Sequence, residues 1–238
     1  MTKQLNTIIF DLDNTLTHRS QTVEKYSEYL LKSFKLEDNL ENVLKIQSII
    51  HRIDNGGYPQ KERLTHSSIA ASVANALIES LDWQVTPTIE YLTDFWFDHF
   101  PKLAVEMPQA RVVLESLKAK GYVLAVISNG MHLSRLKTIQ SLDFEQYFDE
   151  IISSEKVGFK KPEAEIFQKT CELLNVSAQQ CLFIGDHPIN DYLGATHAGM
   201  SALLLKGFHD VFDENIQTID NLEEILSYLG ITHFGTTQ

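Results

Sequence analysis

The chain has 238 residues, with 20 Lys and Arg against 32 Asp and Glu, a formal net charge of −12 and 43% hydrophobic residues. That length can bury a full core in one large domain or two modest ones, and the acidic balance argues against a nucleic-acid or anionic-membrane surface, because both need a basic face. With no leading signal-like segment and no apolar run near the roughly 20 residues that span a bilayer, the expectation is a cytoplasmic protein.

The first element is Ile8-Ile9-Phe10, a short buried strand running into Asp11-Leu12-Asp13-Asn14-Thr15-Leu16-Thr17. In a parallel α/β sheet, ligands sit outside the carboxyl ends of the strands, where Asp11 and Asp13 fall. At spacing i, i+2 in extended backbone the two carboxylates share a face. Like charges so close raise each other's pKa unless a cation or proton intervenes, and a divalent metal is the economical answer. The plainer reading is that the two acids cap a turn.

Residues 20 to 100 read as helices. Val23, Tyr26, Leu30 and Phe34 form one apolar stripe, and Val43, Ile46, Ile49, Ile50 and Ile53 form another. Asn55-Gly56-Gly57 interrupts the pattern. A longer stretch follows through Ile69, Val73, Ala76, Leu77 and Leu81, and Pro87 then introduces a helix with Ile89, Leu92, Phe95, Trp96 and Phe100. That aromatic stripe reads as core packing in preference to a substrate platform.

From residue 108 helix and strand alternate. Pro108 opens a helix with Ala110, Val113, Leu114 and Leu117 inward, closed by Gly121. Tyr122 to Ile127 is a buried strand ending in Ser128-Asn129-Gly130, and a helix spans about Met131 to Leu142. Ile151-Ile152 is a short strand. Glu163 to Leu174 is a helix, and Cys181-Leu182-Phe183-Ile184 is a strand ending in Gly185-Asp186. A helix through Leu193 and Ala198 stops at Gly199, Ala202 to Leu205 is a strand, and Leu222 to Leu229 closes the pattern. Cys171 and Cys181 read as reduced core thiols. The nine histidines form no zinc-type cluster.

Alternation of this kind implies a doubly wound parallel sheet with helices on both faces. Residues 1–17 and 101–238 are expected to form an α/β core, with residues 18–100 as an inserted helical domain placed to cover the site as a lid. Carboxylates ending adjacent strands, about 4.8 Å apart, can reach one cation. An all-oxygen set suits Mg²⁺. Asp191, five positions after Asp186, adds an acid beside the same point or serves as a helix N-cap. Gly158-Phe159-Lys160-Lys161-Pro162 supplies positive charge for a phosphate.

Together these segments resemble the haloacid dehalogenase-like hydrolase superfamily. Its DxDx[TV] motif matches Asp11 to Thr15, its strand-borne Ser/Thr motif Val126 to Asn129, its lysine motif Lys161-Pro162, and its GDxxxxD motif Gly185-Asp186 through Asp191. The insertion resembles the helical C1 cap of that superfamily. The resemblance implies Asp11 as nucleophile and metal ligand, and Asp13 as general acid/base with its main-chain carbonyl on Mg²⁺. It further implies Ser128 and Asn129 at the phosphate, Lys161 as charge stabiliser, Asp186 as metal ligand and Asp191 as an indirect partner of the metal. Asp13 favours a phosphatase over a dehalogenase, because a halide leaving group needs no proton.

The expected protein is therefore a Mg²⁺-dependent phosphatase of a small phosphorylated metabolite, of nucleotide or sugar phosphate type. A phosphomutase, or a binding domain that kept the fold without turnover, is the alternative. His18, His132 and His187 adjoin motifs and are expected in structural or solvent-facing roles. Arg19, Lys160 and residues of the helical insertion are candidates for selecting the leaving group.

Overall fold

The computed structural model describes residues 5–231. In chain order, strand β1 (Thr7–Phe10) is followed by helices α1 (Arg19–Ser33), α2 (Leu40–Asp54), α3 (Ile69–Ser80) and α4 (Ile89–His99). Then come α5 (Ala110–Ala119), β2 (Val123–Ser128), α6 (His132–Ser141), β3 (Glu150–Ser153), α7 (Ser154–Val157), α8 (Ala164–Leu174) and β4 (Cys181–Gly185). A π-helical turn (Pro188–Leu193), α9 (Gly194–His197), β5 (Ser201–Leu205), β6 (Thr218–Ile219) and α10 (Glu224–Tyr228) complete it. The chain divides into two compact units, residues 1–17 with 106–238, and residues 18–105.

The first unit is built on a six-stranded parallel sheet in the order β3-β2-β1-β4-β5-β6. β1 is buried along its whole length, as a strand covered on both faces must be. Phe10 is level with Val126 of β2 on one side and Ile184 of β4 on the other. Strand order reverses at β1, so the crevice beyond its carboxyl end is where such sheets place a ligand. The α/β fold with a doubly wound parallel sheet is thus the one expected. On one face Ile9, Ile127, Ile166, Phe167, Phe183 and Ala195 pack into a single cluster. Cys171 and Cys181 lie within it, both thiols free with their sulfurs 4.0 Å apart.

The second unit packs its helices around Tyr26, Trp96 and Phe100, the last two rings stacked at 4.1 Å and Tyr26 edge-on to both. The aromatic stripe of α4 is core, as its spacing indicated. This unit runs on to Val105 because Pro101–Leu103 makes a 3₁₀ turn whose Leu103 joins the same core, while the Val105 main chain bonds to Thr22 Oγ1 and to the His18 N–H. Asp54, at the end of α2, is buried and takes a two-pronged bond from Arg19 at 2.6 Å to each oxygen. Arg19 also lies over the Phe100 ring, 5.2 Å from its centre. Because truncation strands a buried carboxylate, Arg19→Ala is expected to lower stability by about 3 kcal/mol or more, read from urea unfolding.

Two local differences from the sequence reading have simple causes. The segment after β4 opens as a π-turn rather than an α-helix, since Tyr192 N–H reaches back five residues to His187 O while the Asp191 carboxylate turns inward. β6 is two residues long, too short for any periodicity to announce it.

Candidate active site

The described carboxyl ends of β1, β2 and β4 deliver Asp11, Ser128 and Asp186 to one place. Asp11 follows the last residue of β1 and donates its N–H to Ile184 O at 2.8 Å, which fixes where its side chain begins. Asn14 then adopts φ 57°, a left-handed turn that asparagine tolerates and that takes the chain away from the strand axis. Asp11, Asp186 and Asp191 are buried, with one oxygen of each within 4.8 Å of the others.

Lys161 sits in the middle of this acidic group. Its Nζ donates to Asp11 Oδ1 at 2.5 Å and to Asp191 Oδ1 at 2.6 Å, and the lysine is almost wholly buried. Burial alone would lower the ammonium's pKa, yet the two carboxylates outweigh it and hold Lys161 protonated far into the alkaline range. Asp11 behaves oppositely. Burial pushes its carboxyl well above the usual range against the pull of Lys161, and Asp191, Asp186 and Asp13 push the same way. Asp186 is likewise raised, first by burial.

Asp191 has both oxygens engaged, one by Lys161 and the other by the His187 main-chain N–H at 2.9 Å. Its inward turn depends on Gly185, because a Cβ built there collides with Asp191 Cβ, Cγ and Oδ2. Gly185→Ala is therefore expected to dislodge Asp191 from Lys161 and cost about 2 kcal/mol or more in stability, as overpacking does, which thermal unfolding would report.

By contrast, Asp11 Oδ2 and Asp186 Oδ1 are buried with no hydrogen-bond partner among the described residues. Buried carboxylate oxygens in that condition are costly unless a proton or cation completes them. Hard oxygen donors on adjacent strand ends fit a divalent cation such as Mg²⁺.

The remaining expected residues are placed as follows. Asp13 turns its carboxylate to Arg135, with Oδ2 2.9 Å from Nη1, so its side chain stands apart from the three-carboxylate group. Ser128 ends β2 with its hydroxyl buried. Asn129 spends both ends of its amide on the Lys161 main chain: Nδ2 donates to Lys161 O at 3.0 Å and Oδ1 accepts from Lys161 N–H at 2.9 Å. These two bonds tie the β2 loop to the lysine loop. His18 and His187 cap their helical segments through Nδ1, and the His132 N–H bonds Glu155.

Two functional candidates escaped the sequence reading. Arg135, on α6, is one. The other is His209, in the loop after β5, whose Nε2 lies 3.4 Å from Asp186 Oδ2 and whose ring stands 4.5 Å from that of His187. Contact with Asp186 raises the His209 imidazole against burial, while burial and the neighbouring His209 push His187 down to about 4. Neither residue lies in a spaced motif, so only the fold brings them in.

Comparison with known proteins agrees with this geometry. The chain is 35% identical over 130 residues to glyceraldehyde 3-phosphate phosphatase of Methanothermobacter thermautotrophicus, a match covering 50% of this chain and 58% of that protein. It is 27% identical over 238 residues to phosphoglycolate phosphatase of Psychrobacter arcticus, covering 96% of each. Among solved structures, the magnesium-bound HAD-hydrolase YfnB of Bacillus subtilis shares the fold with a TM-score of 0.75 at 20% identity, over 96% of this chain and 100% of that one. A family model described as haloacid dehalogenase-like hydrolase matches residues 8–205, and with the strand-end acids arranged as above, the chain belongs to that family.

Proposed function

We propose that this protein is a Mg²⁺-dependent phosphatase that hydrolyses a small phosphomonoester through an aspartyl phosphate on Asp11. One observation carries the reading: Asp11 Oδ2 and Asp186 Oδ1 are buried with no hydrogen-bond partner among the described residues, beside a lysine held between two carboxylates. Phosphoryl transfer needs an in-line nucleophile and neutralised oxygens more than it needs strong bases. Bound Mg²⁺, held by Asp11, Asp186 and the Asp13 main-chain carbonyl, supplies charge neutralisation at the transferring group.

In this reading an Asp11 oxygen forms a bond to phosphorus as the ester P–O bond breaks, and Asp13 gives a proton to the departing alkoxide. Asp13 then takes a proton from the water that attacks the phosphoaspartate, which frees inorganic phosphate and restores Asp11. The Ser128 hydroxyl donates to a phosphate oxygen, and Lys161 orients Asp11 while offsetting the charge that gathers around it. Asn129 positions Lys161. Asp191 holds the lysine rather than the metal, since both its oxygens are engaged.

The helical unit, residues 18–105, acts as the cap that selects the leaving group, and the free thiols fit a cytoplasmic setting. The names of the relatives put glyceraldehyde 3-phosphate and phosphoglycolate first in a substrate panel, followed by sugar phosphates and nucleoside monophosphates. Phosphate release that appears with Mg²⁺ and vanishes with EDTA is the expected result. A panel, including p-nitrophenyl phosphate, in which no ester is cleaved in a metal-dependent way would overturn the proposal.

A further inference from the structure

Arg135 has no part in the reaction described so far, yet it joins two of that reaction's loops. Its Nη1 lies 2.9 Å from Asp13 Oδ2, on the loop after β1. Its Nε and Nη2 donate to Asn129 O at 3.1 and 2.6 Å, on the loop after β2. Three of the five guanidinium N–H groups are thus accounted for by a fork that spans both loops. The side chains are sheltered, 18% exposed for Arg135 and 16% for Asp13, so the pair is not a solvated surface contact.

Two further observations indicate that the arrangement is built rather than incidental. Arg135 is the fourth residue of α6, at the helix end where the dipole disfavours a cation. Gly130, at φ +125°, leaves room for it, since a Cβ there would stand 2.7 Å from Arg135 Nη2 and 3.1 Å from Nε. Without a side chain at Gly130 the guanidinium can reach under the loop, and nothing smaller than arginine's planar fork makes both contacts at once.

We propose that Arg135 is a positioning residue that holds the Asp13 carboxyl at the angle needed to hand its proton to the leaving oxygen. This rests on the phosphatase reading above, in which Asp13 is the acid. An arginine that merely braced the loops would affect every substrate alike. One that aims the acid matters in proportion to how badly the leaving group needs a proton.

The test compares an alkyl phosphate, whose alkoxide must be protonated, with 2,4-dinitrophenyl phosphate, whose phenolate leaves unaided. Arg135→Gln is expected to lower kcat for the alkyl ester about 100-fold and that for the dinitrophenyl ester by no more than about 3-fold, the lower range of general-acid effects. KM and inhibition by inorganic phosphate should stay within about 3-fold, because ground-state binding is not the target. Arg135→Lys, which keeps the charge without the fork, should show the same leaving-group bias to a smaller degree, and it carries the test should Arg135→Gln fail to fold. Equal losses on both esters in an active, folded variant overturn the inference alone. A wild type that cleaves neither ester with Mg²⁺ overturns the phosphatase reading, and the inference with it.

Discussion

Asp11→Asn is expected to cut phosphate release by about 10⁴-fold or more while leaving the fold intact, because it deletes the proposed nucleophile without changing the shape of the side chain. Single-turnover kinetics with acid quench would read it: the wild type should yield an acid-stable phosphoenzyme at early times, and the variant none. Loss of turnover by a mere weakening of metal affinity would instead be recovered at high Mg²⁺. The burial that raises Asp11 makes the neutral amide tolerable at this position, so the circular dichroism spectrum should match the wild type.

Lys161→Met addresses the opposite charge. Two carboxylates, Asp11 and Asp191, share that ammonium in a nearly dry site, so its removal is expected to cost about 3–5 kcal/mol, the range for breaking a buried pair. In the wild type the lysine's pKa lies above its ordinary value of 10.5. Its contribution is therefore full below that pH and fades only as the pH rises through the raised value. In the variant Asp11 loses the charge that pulls against burial, so it takes a proton more readily when folded than unfolded and costs least in acid. Urea unfolding at pH 5 and pH 8 should show the deficit widening toward pH 8. A deficit that is flat across this interval would mean that Lys161 is not the charge that holds the two acids together.

Much of this was legible in the residue order because the signals were local and strong. The run Ile8 to Phe10 into Asp11, the helix closed by Gly121 at φ 81°, and the strand Cys181 to Ile184 into Asp186 all declared themselves through burial pattern and turn chemistry. The acids at the ends of β1 and β4 were visible for the same reason, since a charged residue closing an apolar strand has few structural uses. Where the reading stopped, the partner was distant in sequence. The pairing of the Asn129 amide with the Lys161 main chain, 32 positions on, has no signal in the residue order. His209 carries no signal until β5 returns the chain beside Asp186.

Hydrophobic periodicity and strand-end chemistry, which depend only on neighbouring residues, determined the α/β class, the inserted helices and the set of acidic residues. Tertiary structure decided how those charges are shared: which carboxylates Lys161 neutralises, which oxygens stay open for a cation, and which arginine takes hold of Asp13. Coulombic and hydrogen-bond energies change steeply over a few ångströms, and distances of that size between separate strands exist only once the chain has folded.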